Sequence, residues 1–361
     1  MKPEARRRRR LALAALLAVA LPLLGGCASV GYYWQAVGGH LDLMARARPV
    51  EQVIDDPATS AALKQQLALA LRIRDFATDE LGLPDNASYR SYSDLGRPFA
   101  LWNVFAAGEF SIEPKLWCFP VAGCVAYRGY FAQAGAERTA AELRAAGYQT
   151  HVGGVPAYST LGWLDDPLLN TFIAYPEADL ARLIFHELAH QLVFVRGDTV
   201  FNESFAVAVE FEGVRRWLER RGDPQAQAAF VAARERREAF LRLLIAHRAQ
   251  LGELYRTGLT PEAMRERRTA LRAQLREQYR AFREHWAIDG KPYAAFDRWF
   301  GDGPNNAQLA VVAIYSERVP AFQALLARHG GDLAAFYAAV RELAALPYAE
   351  RWRRLDALAP R

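Results

Sequence analysis

Beyond its first 26 residues the chain carries no excess of charge. Lys2 and Arg6 to Arg10, set against Glu4, account for the whole formal charge of +5, so the remainder is formally neutral. With no basic stripe interleaved with aromatics, nucleic acid is excluded as a partner. Cysteine is nearly absent, 3 in 361 residues, too few for a disulfide scaffold or a cysteine-rich zinc module. There is no internal repeat, low-complexity tract or long polar linker, and 52% of the residues are apolar, which excludes a disordered chain. What remains is enough chain for one large domain or two modest ones.

Segment 1–26 has the parts of an export signal: basic residues to Arg10, an apolar run from Leu11 to Leu24, then small residues. The run is short for a bilayer and is interrupted by Pro22. Its end, Leu24-Gly25-Gly26-Cys27, resembles the bacterial lipobox, where cleavage before the cysteine leaves a lipidated N-terminus. An ordinary signal peptide with an incidental cysteine is the alternative. The resemblance implies a diacylated Cys27, stable membrane anchoring and a place in the cell envelope. Ala28 follows, and the lack of Asp there resembles outer-membrane sorting with the protein facing the periplasm. The two other cysteines, Cys118 and Cys124, read as one disulfide closing a short loop bent at Pro120 and Gly123, or as two buried thiols.

The pattern predicts an α+β fold, predominantly α, with an N-terminal part over 27–175 and a helical part over 176–361. Leu63, Leu67, Ala70 and Leu71 share one face of a helix over 57–81. Phe99 to Val104, Val125 to Phe131 and Gln149 to Val155 read as strands of a small sheet, with a helix over Ala136 to Ala146. Pro224 to Leu254 and Pro261 to Trp286 read as an antiparallel helical hairpin whose charges are solvated faces.

The informative helix runs from about Asp179 to Val195. Its apolar residues go almost all the way round, so it is buried, and two histidines and a glutamate inside it need something to offset their desolvation. A bound cation does so. His186 and His190, four apart, place their rings one turn apart on one face, as two ligands of a tetrahedral metal require. Glu187 is rotated beside the metal, where it can take a proton from the attacking water, the mechanical content of HExxH. A second helix begins near Asn202, and across an antiparallel pair its Glu203 comes level with His190 as a third ligand. Glu210, two turns deeper on the same face, can accept a hydrogen bond from the outer nitrogen of a ligand histidine.

Asn202-Glu203-Ser204-Phe205-Ala206, with Glu210 seven residues after Glu203, resembles the Asn-Glu-x-x-Ala segment of the large zinc aminopeptidases. The whole chain, lipobox included, resembles a bacterial family of zinc aminopeptidase lipoproteins. The resemblance implies a gluzincin-like metallopeptidase fold, one Zn2+ held by His186, His190 and Glu203, Asn202 and Glu210 in support behind them, and hydrolysis of a peptide or protein substrate. Two departures stand out. The twelve residues between His190 and Glu203 are fewer than those aminopeptidases use, and the Gly-x-Met-Glu-Asn segment that holds a free amine is not found.

Tyr315, on an otherwise apolar helix, is the candidate oxyanion partner, the alternative being a core tyrosine. Segment 155–163 is either an edge strand for substrate or a plain loop. His40, His151, His247, His285 and His329 have no partner spacing and read as structural. Three readings compete with a zinc aminopeptidase: a metal-free buried salt-bridged pair, a non-catalytic metal-binding lipoprotein and an envelope endopeptidase. Against the second stands Glu187, for which a scaffold has no use. Metabolic labelling with a fatty acid should mark the parent chain and leave a Cys27→Ser variant unlabelled; equal labelling of both would remove Cys27 as the anchor.

Overall fold

The computed structural model describes residues 31–119, 123–157, 159–316 and 318–358. The export-signal segment and Cys27 lie outside the described residues. The chain is mostly helical, with small sheets in its first half. Helix α1 occupies 31–45. Strand β1 (Arg48–Pro49), helices α2 (Val50–Asp55) and α3 (Ala61–Asp79), and β2 (Ser91–Ser93) follow. The sheet that matters for the site uses β3 (Leu101–Gly108), β6 (Arg128–Tyr130) and β7 (Tyr148–Val155), in the order β6-β3-β7 and antiparallel throughout. Between them lie the hairpin β4 (Trp117–Phe119) and β5 (Gly123–Val125), bridged by a Cys118–Cys124 disulfide, and helix α4 (Gln133–Ala145). β8 (Leu168–Leu169) pairs parallel with β2.

From Glu177 onward the described residues are helical apart from their connections: α5 (Glu177–Leu192), α6 (Thr199–Arg221), α7 (Pro224–Tyr255), α8 (Pro261–His285), α9 (Asp297–Phe300), α10 (Asn306–Ser316), α11 (Val319–Arg328), α12 (Leu333–Ala344) and α13 (Tyr348–Asp356). Local chemistry sets the ends. Ser60, Asp198, Asp223, Thr260 and Asp332 each accept a backbone N–H at a helix start, and Gly222 closes α6 in the left-handed conformation behind Arg220 and Arg221.

One core crosses from the first half to the second. Phe76 of α3 packs on Phe185 of α5 and Trp217 of α6, and Phe205 of α6 meets Phe336 of α12. A second core lies under the α7–α8 hairpin, around Phe240, Leu275, Tyr279 and Phe300. α5 and α6 approach closely because residue 213 is glycine: a Cβ there would sit 2.6 Å from the Phe185 ring.

One expectation changes. The strand over Val125 to Phe131 is broken: β5 pairs with β4, β6 pairs with β3, and Tyr127 stands at the break. Of the two readings of segment 155–163, the described residues give the loop: Val155 ends β7, and 156–157 and 159–163 are irregular, with the Asp166 carboxylate accepting the Thr160 N–H at 2.9 Å. The turn between α5 and α6 is fixed from the far end of the chain. The 4% exposed Arg351 of α13 donates to Asp198 through Nε at 3.1 Å, and Trp352 Nε1 donates to the same oxygen. Arg351→Ala should therefore cost about 3 kcal/mol or more in urea unfolding, because it strands a buried carboxylate; a loss under 1 kcal/mol would show that the pair contributes little.

Candidate metal centre

α5 supplies His186, Glu187 and His190, and α6, running back against it, supplies Glu203 and Glu210. The turn that sets their register is clamped by Asn202, whose side chain accepts the Val195 N–H at 2.7 Å and donates to the Val195 carbonyl at 2.9 Å. Asn202 thus holds the backbone beside Glu203 and forms no hydrogen bond with a ligand side chain among the described residues.

His186 Nε2 and His190 Nε2 lie 3.1 Å apart, and Glu203 Oε2 is 3.2 Å from the first and 3.6 Å from the second. Tetrahedral zinc with bonds of about 2.0–2.1 Å sets its ligand atoms about 3.3 Å apart, and these separations match the edges of one face of such a site. Two imidazole nitrogens and a carboxylate oxygen are also zinc's donor set.

Behind the ligands, Glu210 Oε2 lies 2.8 Å from His186 Nδ1, and Arg182 Nη1 donates to Glu210 Oε1 at 3.4 Å. With Nδ1–H donated to Glu210, Nε2 is the His186 nitrogen left to a metal once its own proton is displaced. His190 Nδ1 is buried and makes no hydrogen bond among the described residues.

The electrostatics follow from burial and the opposed charges. Burial works against charge on His186, but its hydrogen bonds to Glu203 and Glu210 outweigh that and hold its pKa up at about 10. Burial would raise Glu203, yet the charge of His190 and the hydrogen bond from His186 draw it down to about 2. Burial pushes the Glu187 carboxyl above the usual range against the pull of the two histidines, toward what a general base needs.

The site opens into a cleft walled largely by Tyr32, Tyr33, Phe119, Tyr127, Phe131 and Phe194, with Tyr315 on the α10 side. Tyr315 therefore lines the cleft instead of lying in the core. Tyr127 is the residue that sequence reasoning missed, since it lay inside an assumed strand and only the break turns it to the site. Burial and the charges of Glu203 and Glu187 raise both the Tyr127 and Tyr315 hydroxyls, so both stay protonated and can donate.

The family model described as "Putative aminopeptidase" matches residues 31–355. The chain belongs to this family. Membership supports a peptidase-like function and covers every residue of the site. No curated protein and no solved structure matches the chain. The gluzincin comparison accordingly stays a resemblance of motifs.

In this aminopeptidase family member His186 holds a proton at neutral pH that a divalent cation bound at its Nε2 must displace. Zinc affinity should rise with pH by about tenfold per unit for each proton displaced, measured by competition with a chelator; a flat profile between pH 6 and 9 would contradict the ion-paired histidines. Glu210→Ala should weaken zinc about 10- to 100-fold.

Proposed function

We propose that the chain is a zinc-dependent peptidase of the cell envelope, with His186, His190 and Glu203 holding one Zn2+ and Glu187 acting as general base. The observation that carries this reading is the near-equal spacing of three convergent donor atoms at 3.1, 3.2 and 3.6 Å, with a carboxylate beside them that ligation leaves over. A metal-free salt-bridged pair would have no use for Glu187, and neither would a purely structural metal site.

Zinc at this position supplies Lewis acidity, lowering the pKa of water toward neutrality and polarising a scissile carbonyl. The protein's own residues do the rest. Glu187 takes the proton of the attacking water and passes it to the leaving amine. Tyr127 and Tyr315 offer hydroxyl donors where negative charge develops on the carbonyl oxygen. Glu210 keeps the His186 ring oriented, and the aromatic walls exclude water and receive apolar side chains.

The family supports release of N-terminal residues. One observation favours internal cleavage instead: among the described residues lining the cleft, Glu187 and Glu203 are the only carboxylates, and both are committed to the chemistry. Anchoring through lipid on Cys27, facing the periplasm, completes the proposal for its location.

Glu187→Gln should retain one zinc per chain and lose about 10²- to 10⁴-fold in kcat on peptides. Tyr127→Phe and Tyr315→Phe should each lower kcat with little change in KM. Comparing aminoacyl with N-blocked, internally quenched peptides assigns the cleavage mode. A metal-loaded parent chain that hydrolyses neither class would overturn the peptidase reading.

A further inference from the structure

The sheet beside the metal centre ends at β6, and the outward backbone groups of that edge are already taken. Gln35 of α1 donates from Nε2 to the Gly129 carbonyl at 3.3 Å and accepts the Phe131 N–H on Oε1 at 3.0 Å. A primary amide that donates to residue i and accepts from residue i+2 makes the two bonds that one residue of an added parallel strand would make through its N–H and C=O. Gly129 and Phe131 line the same cleft as His186, Glu187 and Glu203, as do Tyr32, Tyr33 and Ala36 of α1. α1 thus lies along the cleft wall in the place of a strand.

Its hold on the body is peripheral. None of residues 31–42 is buried, and Leu43 is the first that is. The inner face makes the contacts named above, together with the Arg128 guanidinium 4.2 Å from the Tyr32 ring centre. The outer face carries Trp34, Val37 and Leu41 at 80%, 55% and 60% exposure. Moving this segment would forfeit a few hydrogen bonds and the Tyr32 ring contacts with Phe119 and Tyr130, and would uncover only the margin of the small cluster around Trp102 and Tyr130. An incoming peptide backbone would restore the hydrogen bonds.

We propose that α1 is a built-in competitor for the cleft: Gln35 holds the outer edge of β6 in the free protein, and an extended peptide with apolar side chains binds by displacing it and taking its two hydrogen bonds. This rests on the peptidase reading. The helix covers the strand edge while the metal ligands, Glu187 and the two tyrosines stay assembled beneath, so the device gates access without altering the chemistry. Tyr32 and Tyr33 extend the same aromatic wall that an apolar side chain would meet.

The test uses the full chain, zinc-loaded, with a quenched peptide carrying Phe on both sides of the scissile bond. Gln35→Ala should lower KM by about 2- to 10-fold for one net hydrogen bond, with kcat unchanged. In parallel, amide exchange at Phe131 should speed up in Gln35→Ala. In a Glu187→Gln background, which binds without turnover, saturating peptide should return that amide to slow exchange whether or not Gln35 is present. A raised KM in Gln35→Ala would overturn the proposal, making α1 part of the substrate wall. So would Phe131 exchange that stays fast under saturating peptide once Gln35 is gone. If the parent chain cleaves no peptide at all, the peptidase reading itself fails; turnover with KM indifferent to Gln35 sinks this inference alone.

Discussion

The structure depends on offsetting the burial of two imidazoles and two carboxylates inside an otherwise apolar helix pair. His190, Glu203 and Glu210 are each under a tenth exposed, within a core built from Leu183, Ile184, Phe185, Leu188, Phe205 and Ala206. Unpaired, any one of these groups would cost several kcal/mol. Paired as they are, His186 sits between Glu203 and Glu210, and Arg182 balances the second acid. The arrangement concentrates negative charge around three convergent donor atoms, which is a cation site as much as an ion-pair network.

That requirement explains features far from the ligands. Gly213 lets the helices approach, Asn202 fixes the short turn between them, and Asp198 both caps α6 and receives Arg351 from α13. A turn carrying so little chain could rotate Glu203 away from His190 with a modest backbone shift; the clamp and the buried ion pair remove that freedom. Helix α13 therefore acts on the site through the turn.

Much of this was legible in the sequence. The all-round apolar character of 180–194 forced a buried helix, the four-residue histidine spacing forced one face, and the short link to Glu203 forced an antiparallel return. Three things were not legible. α1 carries Gly38 and Gly39 and no buried stripe, so its periodicity is weak and its partners are backbone groups on a distant strand. Tyr127 lay within a run that reads as one strand, and the two-residue break that exposes it depends on β5 and β6 choosing different partners. The role of Asn202 was placed among the ligands' supports because of its motif, whereas its hydrogen bonds go to Val195.

The central claim is that His186, His190 and Glu203 converge on one zinc ion. X-ray absorption at the zinc edge, on protein loaded with one equivalent, tests it most directly. Two imidazole nitrogens with oxygen donors completing a four-coordinate shell at about 2.0–2.2 Å are expected, with loss of that spectrum in Glu203→Ala. A spectrum with one imidazole or none, or zinc held equally well by the variant, would contradict it.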